Sequence, residues 1–236
     1  MNDPLEILYQ DEYMVVINKP NGLLVHRTKL AANVRIAALN ILRDQLGRIV
    51  HPVHRLDRKT SGVLVFSFEK ETTKRLQAIL ASEGSVKEYT AIVRGYFPEQ
   101  LLVDYPLTNE KGKQQSAITR FCLLDTTELD VPLGQHNTSR YSLIKAFPKT
   151  GRMHQIRKHC NHLRHPIIGD RPHGCNKQNR LFKEKWRLEN LLLHASKLKI
   201  KHPYSHQDLV LEANFPDSFI RIKKILDLSE CKTVIC

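Results

Sequence analysis

The apolar residues of this chain follow two spacings, one typical of strands and one typical of helices. Short apolar or alternating stretches bounded by turn residues predict strands. These stretches are Leu5–Tyr9, Tyr13–Ile17, Val63–Phe68, Val86–Tyr96, Leu101–Leu107, Ala117–Leu124, Arg140–Phe147, Leu191–Lys201 and Leu209–Ala213. Many of them lie close enough along the chain to form hairpins, so the pattern predicts a largely antiparallel sheet.

Helical spacing of apolar residues predicts four helices between these strands. They are Asn33–Leu46, Lys70–Ser82, a helix carrying the stripe Met153, Ile156, Cys160 and Leu163 that ends before Pro166, and Pro216–Leu226. The polar, basic segment Gly174–Lys185 is interpreted as a surface loop. Because strands outnumber helices, the predicted class is α+β.

One carboxylate stands among basic residues at a predicted turn. Asp57 is preceded by Arg55 and followed by Arg58 and Lys59, and a polar stretch ending at Gly62 then leads into an apolar strand. Nearby positive charge favours the ionised form of an aspartate. Loops at the mouth of a strand often display functional groups, although a loop aspartate in simple salt bridges has the same local composition.

The order of residues in this segment distinguishes the two interpretations. His-Arg-Leu-Asp-x-x-Thr-Ser-Gly, at residues 54–62, resembles the catalytic motif of the RluA-type pseudouridine synthases. The resemblance implies that Asp57 is the essential catalytic residue. It also implies the pseudouridine synthase fold: a bent, mixed but largely antiparallel sheet flanked by helices, with a catalytic cleft between two intimate subdomains. Residues 1–236 would form one catalytic domain without a separate RNA-binding domain.

Further blocks of the same family occur in the right order along the chain. Asn18–Gly22 resembles the first, Lys87–Gly95 the second and Thr150–His159 the third, and the third is followed by His165–Asp170. In the second block the resemblance implies that Tyr89 packs against the target base. In the third it implies that Arg157 pairs with Asp57 and holds it ionised. A late block around His194 resembles a strand that lines the cleft, with His194 in a structural role.

Five more residues are predicted to contact the substrate. They are Arg55, His54, Lys19, Arg152 and Lys158. By resemblance, Arg55 fills the gap that the target base leaves when it is extruded from the RNA, an extrusion that costs a few kcal/mol. Lys19 shapes the wall of the cleft. Arg152 and Lys158 are candidates for phosphate contacts.

The charge of the chain agrees with an RNA substrate. Lys and Arg number 37 against 24 Asp and Glu, a formal net charge of +13, and such a surface attracts polyanions, although a merely basic enzyme has the same charge. The opening segment Leu5–Glu12 and the block Leu163–Asp170 resemble the branch of the family that modifies uridine 65 of tRNA. A synthase acting on ribosomal RNA or another tRNA stem-loop, and a non-catalytic basic RNA-binding protein, remain as alternatives.

The remaining composition predicts no bound group. The cysteines Cys122, Cys160, Cys175, Cys231 and Cys236 are scattered, without a Cys-x-x-Cys pair, and are interpreted as reduced thiols. The histidines His154, His159 and His162 do not share one helical face, so no metal is expected. The reaction requires no organic cofactor. No apolar run approaches the roughly 18 residues of a membrane span; we therefore expect a soluble, cytoplasmic, monomeric protein.

Overall fold

The computed structural model describes residues 3–26 and 36–229. Its strands are β1 (Glu6–Gln10), β2 (Met14–Lys19), β3 (His51–Pro52), β4 (Ser61–Ser67), β5 (Val86–Arg94), β6 (Gln100–Asp104), β7 (Leu107–Thr108), β8 (Gln114–Gln115), β9 (Ile118–Leu129), β10 (Ser139–Pro148), β11 (Leu193–Lys201) and β12 (Asp208–Glu212). Its helices are α1 (Ala38–Leu46), α2 (Lys70–Ala81), α3 (Gln155–His162), α4 (Asn176–Trp186) and α5 (Asp217–Ile225).

The chain divides into two compact units. The first contains the described residues up to Lys87 together with His194–Pro216. The second contains Glu88–Leu193 and the described residues from Asp217 onwards. The chain therefore leaves the first unit after its helix α2, builds most of the second, and returns to the first with β11 and β12.

The sheet of the first unit has the strand order β1-β2-β4-β11, with β12 paired to β11 and β3 paired to β4. β4 and β11 are parallel, with His194 opposite Ser61, and the other pairs are antiparallel. Every residue of β4 is buried, because the strand lies inside the sheet with both faces covered. Val63 and Val65 on one face pack in a cluster with Leu76 and Leu80 of α2.

The sheet of the second unit is antiparallel, in the order β5-β10-β9-β6. One face carries a cluster that contains Ala91 and Val93 of β5 and Ile156 and Cys160 of α3, with Tyr89 packed against it. Tyr89, Ala91 and Val93, alternate residues of this strand, therefore share one face. Helices accompany a mixed sheet in the first unit and an antiparallel sheet in the second, so the α+β class is confirmed as well.

The prediction of a loop at Gly174–Lys185 is wrong, because α4 occupies Asn176–Trp186. The helix buries few side chains, and so the apolar spacing is too sparse to reveal it. Its stability comes from tertiary contacts. Phe182 is fully buried with its ring edge-on to Tyr141 at 5.2 Å, and the Tyr141 hydroxyl donates to Gln178 Oε1 at 2.8 Å.

Two predicted helix boundaries also differ from the structure. Met153 was assigned to the apolar stripe of α3, yet it is 43% exposed, because the helix begins only at Gln155, after His154 in a left-handed conformation (φ 58°). The described part of α1 begins at Ala38, and the predicted start at Asn33 lies outside the described residues. Within the described ranges, no helix combines the length and the apolarity that crossing a bilayer requires.

Candidate active site

Asp57 lies on the loop that leads into β4, as the sequence predicts. The loop turns tightly at this point, because the backbone N–H of Thr60 donates to the Asp57 carbonyl at 3.0 Å. Leu56 is buried beneath the loop, Arg55 is exposed and the Asp57 side chain is half-buried. The aspartate is thus displayed beside a rigid, fully buried strand, an arrangement that holds a reactive group in place.

A second turn, Asn18–Gly22, is hydrogen-bonded to the Asp57 loop. The Gly22 N–H donates to the Arg58 carbonyl at 2.9 Å, and Arg58 Nε donates back to the Gly22 carbonyl at 2.9 Å. Asn21 Nδ2 donates to the Lys59 carbonyl. Arg58, one of the basic residues around Asp57 in the sequence, therefore donates its Nε–H to the Gly22 turn.

Lys19 is the buried cation of this arrangement. Its ammonium donates to the carbonyls of Pro20 at 2.8 Å, Leu23 at 2.9 Å and Arg58 at 3.2 Å, so three acceptors match its three hydrogens. Burial lowers the pKa of Lys19 to about 7, against the opposing effect of the Asp57 charge. With no exposed surface, Lys19 positions the Asp57 loop and is an electrostatic neighbour of Asp57. Its contact with substrate stays a prediction.

His54 also supports the Asp57 loop, and its contact with substrate stays a prediction. Its Nε2 accepts a hydrogen bond from the Val65 N–H at 3.2 Å, which joins the start of the Asp57 loop to β4. Burial and, to a smaller extent, the charge of Lys87 lower the pKa of His54 to about 4. The imidazole is therefore neutral at pH 7, as an acceptor nitrogen requires.

The neutral state of His54 predicts a pH-dependent stability. Since its folded pKa, about 4, lies below the unfolded value of 6.5, its contribution is present above pH 6.5 and is lost as the pH falls towards 4. Between pH 7 and pH 5 the wild type should lose roughly 1–2 kcal/mol more free energy of unfolding than His54→Gln. Urea unfolding at both pH values measures this difference. His136→Gln is the control, and equal losses in wild type and His54→Gln would contradict the assignment.

The far end of the Asp57 loop is fixed by His194. Its Nε2 donates to the Ala213 carbonyl at 3.0 Å, so its Nδ1 accepts from the Ser61 hydroxyl at 2.9 Å. Burial lowers the pKa of His194, which favours this neutral form. The predicted structural role of His194 is confirmed. Gly62 follows with φ 111°, and a Cβ there would lie 2.2 Å from the Ala195 carbonyl oxygen.

Tyr89 and Arg157 lie in the second unit. Tyr89 is half-buried on β5. Arg157, on α3, forms a bidentate ion pair with Asp170: Nε to Oδ2 is 2.7 Å and Nη2 to Oδ1 is 2.8 Å. Burial alone would raise the pKa of Asp170, but its hydrogen bonds and the Arg157 charge lower it. The pairing of Arg157 with Asp57, which the resemblance implies, stays a prediction.

Asp170 is a site residue that the sequence motifs do not single out. It closes the block His165–Asp170, directly after the third motif. A signal was available, since this aspartate follows the apolar pair Ile167–Ile168 and a glycine, and an aspartate that is fully buried is almost always paired. Its partner could not be read from the sequence, because thirteen positions separate it from Arg157 and α3 must form before the two side chains can meet.

Arg152 and Lys158 lie near the surface of the second unit. Arg152 Nε donates to the Ser116 carbonyl at 2.9 Å, and Lys158 Nζ lies 3.3 Å from the Thr108 carbonyl. Their contact with phosphate stays a prediction. The ring nitrogens of His154 and His173 share a hydrogen bond of 2.9 Å. Among the described residues, no three His, Cys, Asp or Glu side chains come together as a possible metal site.

The fold and site define a class of protein. The chain is a basic α+β protein in which buried lysine and histidine side chains hold a loop that displays one carboxylate. A carboxylate displayed on a loop is a candidate catalytic group, and a basic surface attracts an anionic substrate.

Comparison with known proteins gives the family. The family model described as RNA pseudouridylate synthase matches residues 13–162. The chain is similar to tRNA pseudouridine synthase C of Vibrio cholerae, with 45% identity over 224 residues that cover 90% of this chain and 92% of that protein. It is also similar to tRNA pseudouridine synthase C of Salmonella typhimurium, with 42% identity over 92% of this chain and 88% of that protein.

A solved structure agrees with these sequence relatives. Human RNA Pseudouridylate Synthase Domain Containing 4 superposes with a TM-score of 0.74 and 27% identity, over 95% of this chain and 94% of that one. The chain belongs to the RNA pseudouridylate synthase family and is an isomerase. The recognition made from the Asp57 motif is confirmed.

Proposed function

We propose that this enzyme converts uridine to pseudouridine in tRNA, with uridine 65 as its target, and that it works in the cytoplasm. Relatives named tRNA pseudouridine synthase C, 45% and 42% identical over about nine-tenths of the chain, support the tRNA substrate. The observation that supports the catalytic role is the hydrogen-bonded loop around Asp57, which Lys19, His54 and His194 hold in place.

The reaction breaks the N-glycosidic bond of uridine, turns the uracil and rejoins it through C5. Asp57 supplies the carboxylate, which either adds to C1' of the ribose or removes a C2' proton. Tyr89 packs against the base and is the candidate acceptor of the C5 proton. Arg157 orients the carboxylate, since a guanidinium offers several N–H donors in a fixed plane. Each of these roles is accomplished by the chain's own side chains.

Asp57 has a different setting from Asp11 and Asp44, two other acidic residues of the first unit. Asp11 accepts from Tyr9, His202 and two backbone N–H groups, and Asp44 is exposed in a pair with Arg43. Asp57 instead lies half-buried at the end of a hydrogen-bonded turn, with the Lys19 ammonium as its electrostatic neighbour. A carboxylate in that setting is both held in place and accessible, which a nucleophile or a general base requires.

Arg55 is proposed to fill the space of the extruded uridine. Its side chain is exposed two residues before Asp57, on the same turn. Arg55→Ala should therefore lower kcat/KM on folded tRNA about 10-fold or more, because base extrusion then lacks its compensation. Turnover of an unstructured oligonucleotide should change less than about 3-fold.

The matched control for Arg55 is Arg43→Ala, which removes another exposed arginine of the same unit that pairs with Asp44. It removes the same charge and should leave both substrates unaffected. Equal turnover of folded tRNA by Arg55→Ala and wild type would refute the wedge role. Equal losses on both RNAs would assign Arg55 to catalysis or to general RNA affinity instead.

The target nucleotide is tested by mapping pseudouridine in tRNA from a strain that lacks the protein. Loss of the modification at position 65, and its return on complementation with wild type but not with Asp57→Ala, is the expected result. Loss of the modification at another tRNA position or in ribosomal RNA would assign the enzyme a different RNA substrate within the same family. No lost modification in any RNA would favour the non-catalytic alternative.

A further inference from the structure

Asp170 controls the orientation of the Arg157 guanidinium. The pair is bidentate through Nε and Nη2, and the two side chains are only 6% and 1% exposed. A planar carboxylate that accepts from two N–H groups of one guanidinium fixes the plane of that group and its rotation. The direction of the remaining Arg157 N–H groups is consequently set by where Asp170 lies.

Asp170 is itself fixed by α4. Asn179 Nδ2 donates to the Asp170 carbonyl at 2.6 Å, and Asn179 Oδ1 accepts from the Gly169 N–H at 2.9 Å. The His173 N–H donates to Asp170 Oδ1 at 3.2 Å. The chain packs closely at this turn: a Cβ at Gly174 would lie 1.8 Å from the Asp170 carbonyl oxygen. The turn therefore has little freedom to move.

The ion pair also changes what Arg157 can contribute. A buried bidentate carboxylate neutralises most of the guanidinium charge, so the pair acts at a distance as a nearly neutral group. The contribution of Arg157 then depends on the direction of its N–H donors. Lys19, whose ammonium donates to three neutral carbonyls, supplies positive charge near Asp57 in the first unit.

We propose that Asp170, held by Asn179, is a positioning residue for pseudouridine formation that aims the Arg157 guanidinium at the reacting groups. The proposal rests on the function proposed above, in which Arg157 serves Asp57. It adds the turn at Gly169–Asp170 and helix α4 to the catalytic apparatus, although both lie beyond residues 13–162, which the family model matches.

A merely structural ion pair would have a different signature. Buried pairs contribute little net stability, but removal of one partner leaves an uncompensated charge and destabilises the fold. A structural role therefore predicts that changes at Asp170 lower the thermal stability and leave kcat of the folded fraction intact. A positioning role predicts a loss of kcat in protein that is fully folded, with KM almost unchanged.

The kinetic test uses C5-tritiated uridine tRNA and four single variants. Asp170→Asn should lower kcat about 30-fold or more and change KM by less than about 3-fold. A catalytic group that is displaced by about 1 Å can lower the reaction rate about 100-fold. Asp170→Glu keeps the charge and the fold but displaces the carboxylate, and should lower kcat about 5-fold or more. Asn179→Ala should lower it about 3- to 10-fold. Glu184→Gln, which removes the exposed pair with Arg180 on the same helix, is the control and should change nothing.

A double variant separates action through Arg157 from independent action. Arg157→Lys keeps the charge but loses the planar fork. Combined with Asp170→Asn, it should lower kcat less than about 3-fold beyond Arg157→Lys alone, because Asp170 then has no guanidinium left to aim. Multiplicative losses would overturn the proposal, as would a folded Asp170→Glu with kcat within 2-fold of wild type.

One readout does not depend on activity. In the nitrogen-15 spectrum of the arginine side chains, the Arg157 Nε–H resonance is identified by its loss in Arg157→Lys. It should be sharp in wild type and in Glu184→Gln, and shifted and broadened in Asp170→Asn and Asn179→Ala. If these shifts occur but wild-type protein forms no pseudouridine, the proposed function fails while the pair stands. If wild type is active and Asn179→Ala leaves the Arg157 resonance unchanged, the proposed role of α4 is refuted.

Discussion

Asp57→Ala is expected to abolish the release of tritium from C5-labelled uridine in tRNA, with kcat lowered at least about 1,000-fold. The structure gives two reasons for so large an effect. Asp57 lies half-buried on a turn held by Lys19, His54 and Ser61, and no other aspartate or glutamate belongs to the described loop between β3 and β4. Its removal therefore leaves no carboxylate there to take over the chemistry.

The binding of tRNA should survive the same change. Binding depends on the net charge of +13, to which loss of one carboxylate adds, so the dissociation constant should stay within about 3-fold of wild type or become smaller. Asp57→Asn keeps the size of the side chain and should be as inactive as Asp57→Ala. Asp44→Asn, an exposed aspartate of α1, is the control.

The residual activity of Asp57→Asn distinguishes a carboxylate that performs the reaction from one that only assists it. An Asp57→Asn enzyme that keeps more than about one-tenth of wild-type kcat would show that the carboxylate assists rather than carries the reaction. Circular dichroism and thermal unfolding of each variant exclude loss of fold as the cause of inactivity. Asp57 is only half-buried and lies on the loop before β4, so we expect unfolding temperatures within a few degrees of wild type.

Gly62→Ala is the second change with a large expected effect, and it acts on stability first. A Cβ at this position would lie 2.2 Å from the Ala195 carbonyl oxygen and 2.7 Å from its carbonyl carbon and nitrogen. All three are backbone atoms of the neighbouring parallel strand, so no side chain can move aside. Gly62 also has φ 111°, which a residue with a Cβ rarely adopts.

We expect Gly62→Ala to lower the free energy of unfolding by about 3 kcal/mol or more, measured by urea unfolding. Any protein that still folds should have lost most of its activity, because separation of β4 from β11 moves the turn that carries Asp57. Gly84→Ala is the matched control: it lies in the same unit, where the nearest atom to a new Cβ is 3.9 Å away. A Gly62→Ala protein as stable as wild type would show that the strands can separate at little cost.

These two predictions differ in how much of them the sequence supports. The motif around Asp57 indicates its catalytic role without any coordinates, because the residue order alone carries the resemblance. The glycine of that motif predicts a break before a strand, but not its cause. Only the parallel pairing of Ser61 with His194, far along the chain, shows that Gly62 is required by a close backbone approach.

Helix α4 shows why some of the fold could not be predicted. Its residues are mostly charged or polar, and only Gln178 and Phe182 are buried. Local spacing reports a helix only when its apolar face is broad enough to appear in a window of the sequence. Here the stabilising contacts come from Tyr141 on β10, which lies more than thirty positions earlier in the chain.

The sequence by itself determined the α+β class, most strands and helices, the family and the candidate catalytic aspartate, because periodicity and motif order are local properties that survive without coordinates. The tertiary structure alone decided the partners. It made Lys19 a buried support of the Asp57 loop, made His54 a neutral acceptor and gave Arg157 the carboxylate of Asp170. Hydrogen bonds and ion pairs join residues that folding brings together, and separation along the chain does not encode which of them will meet.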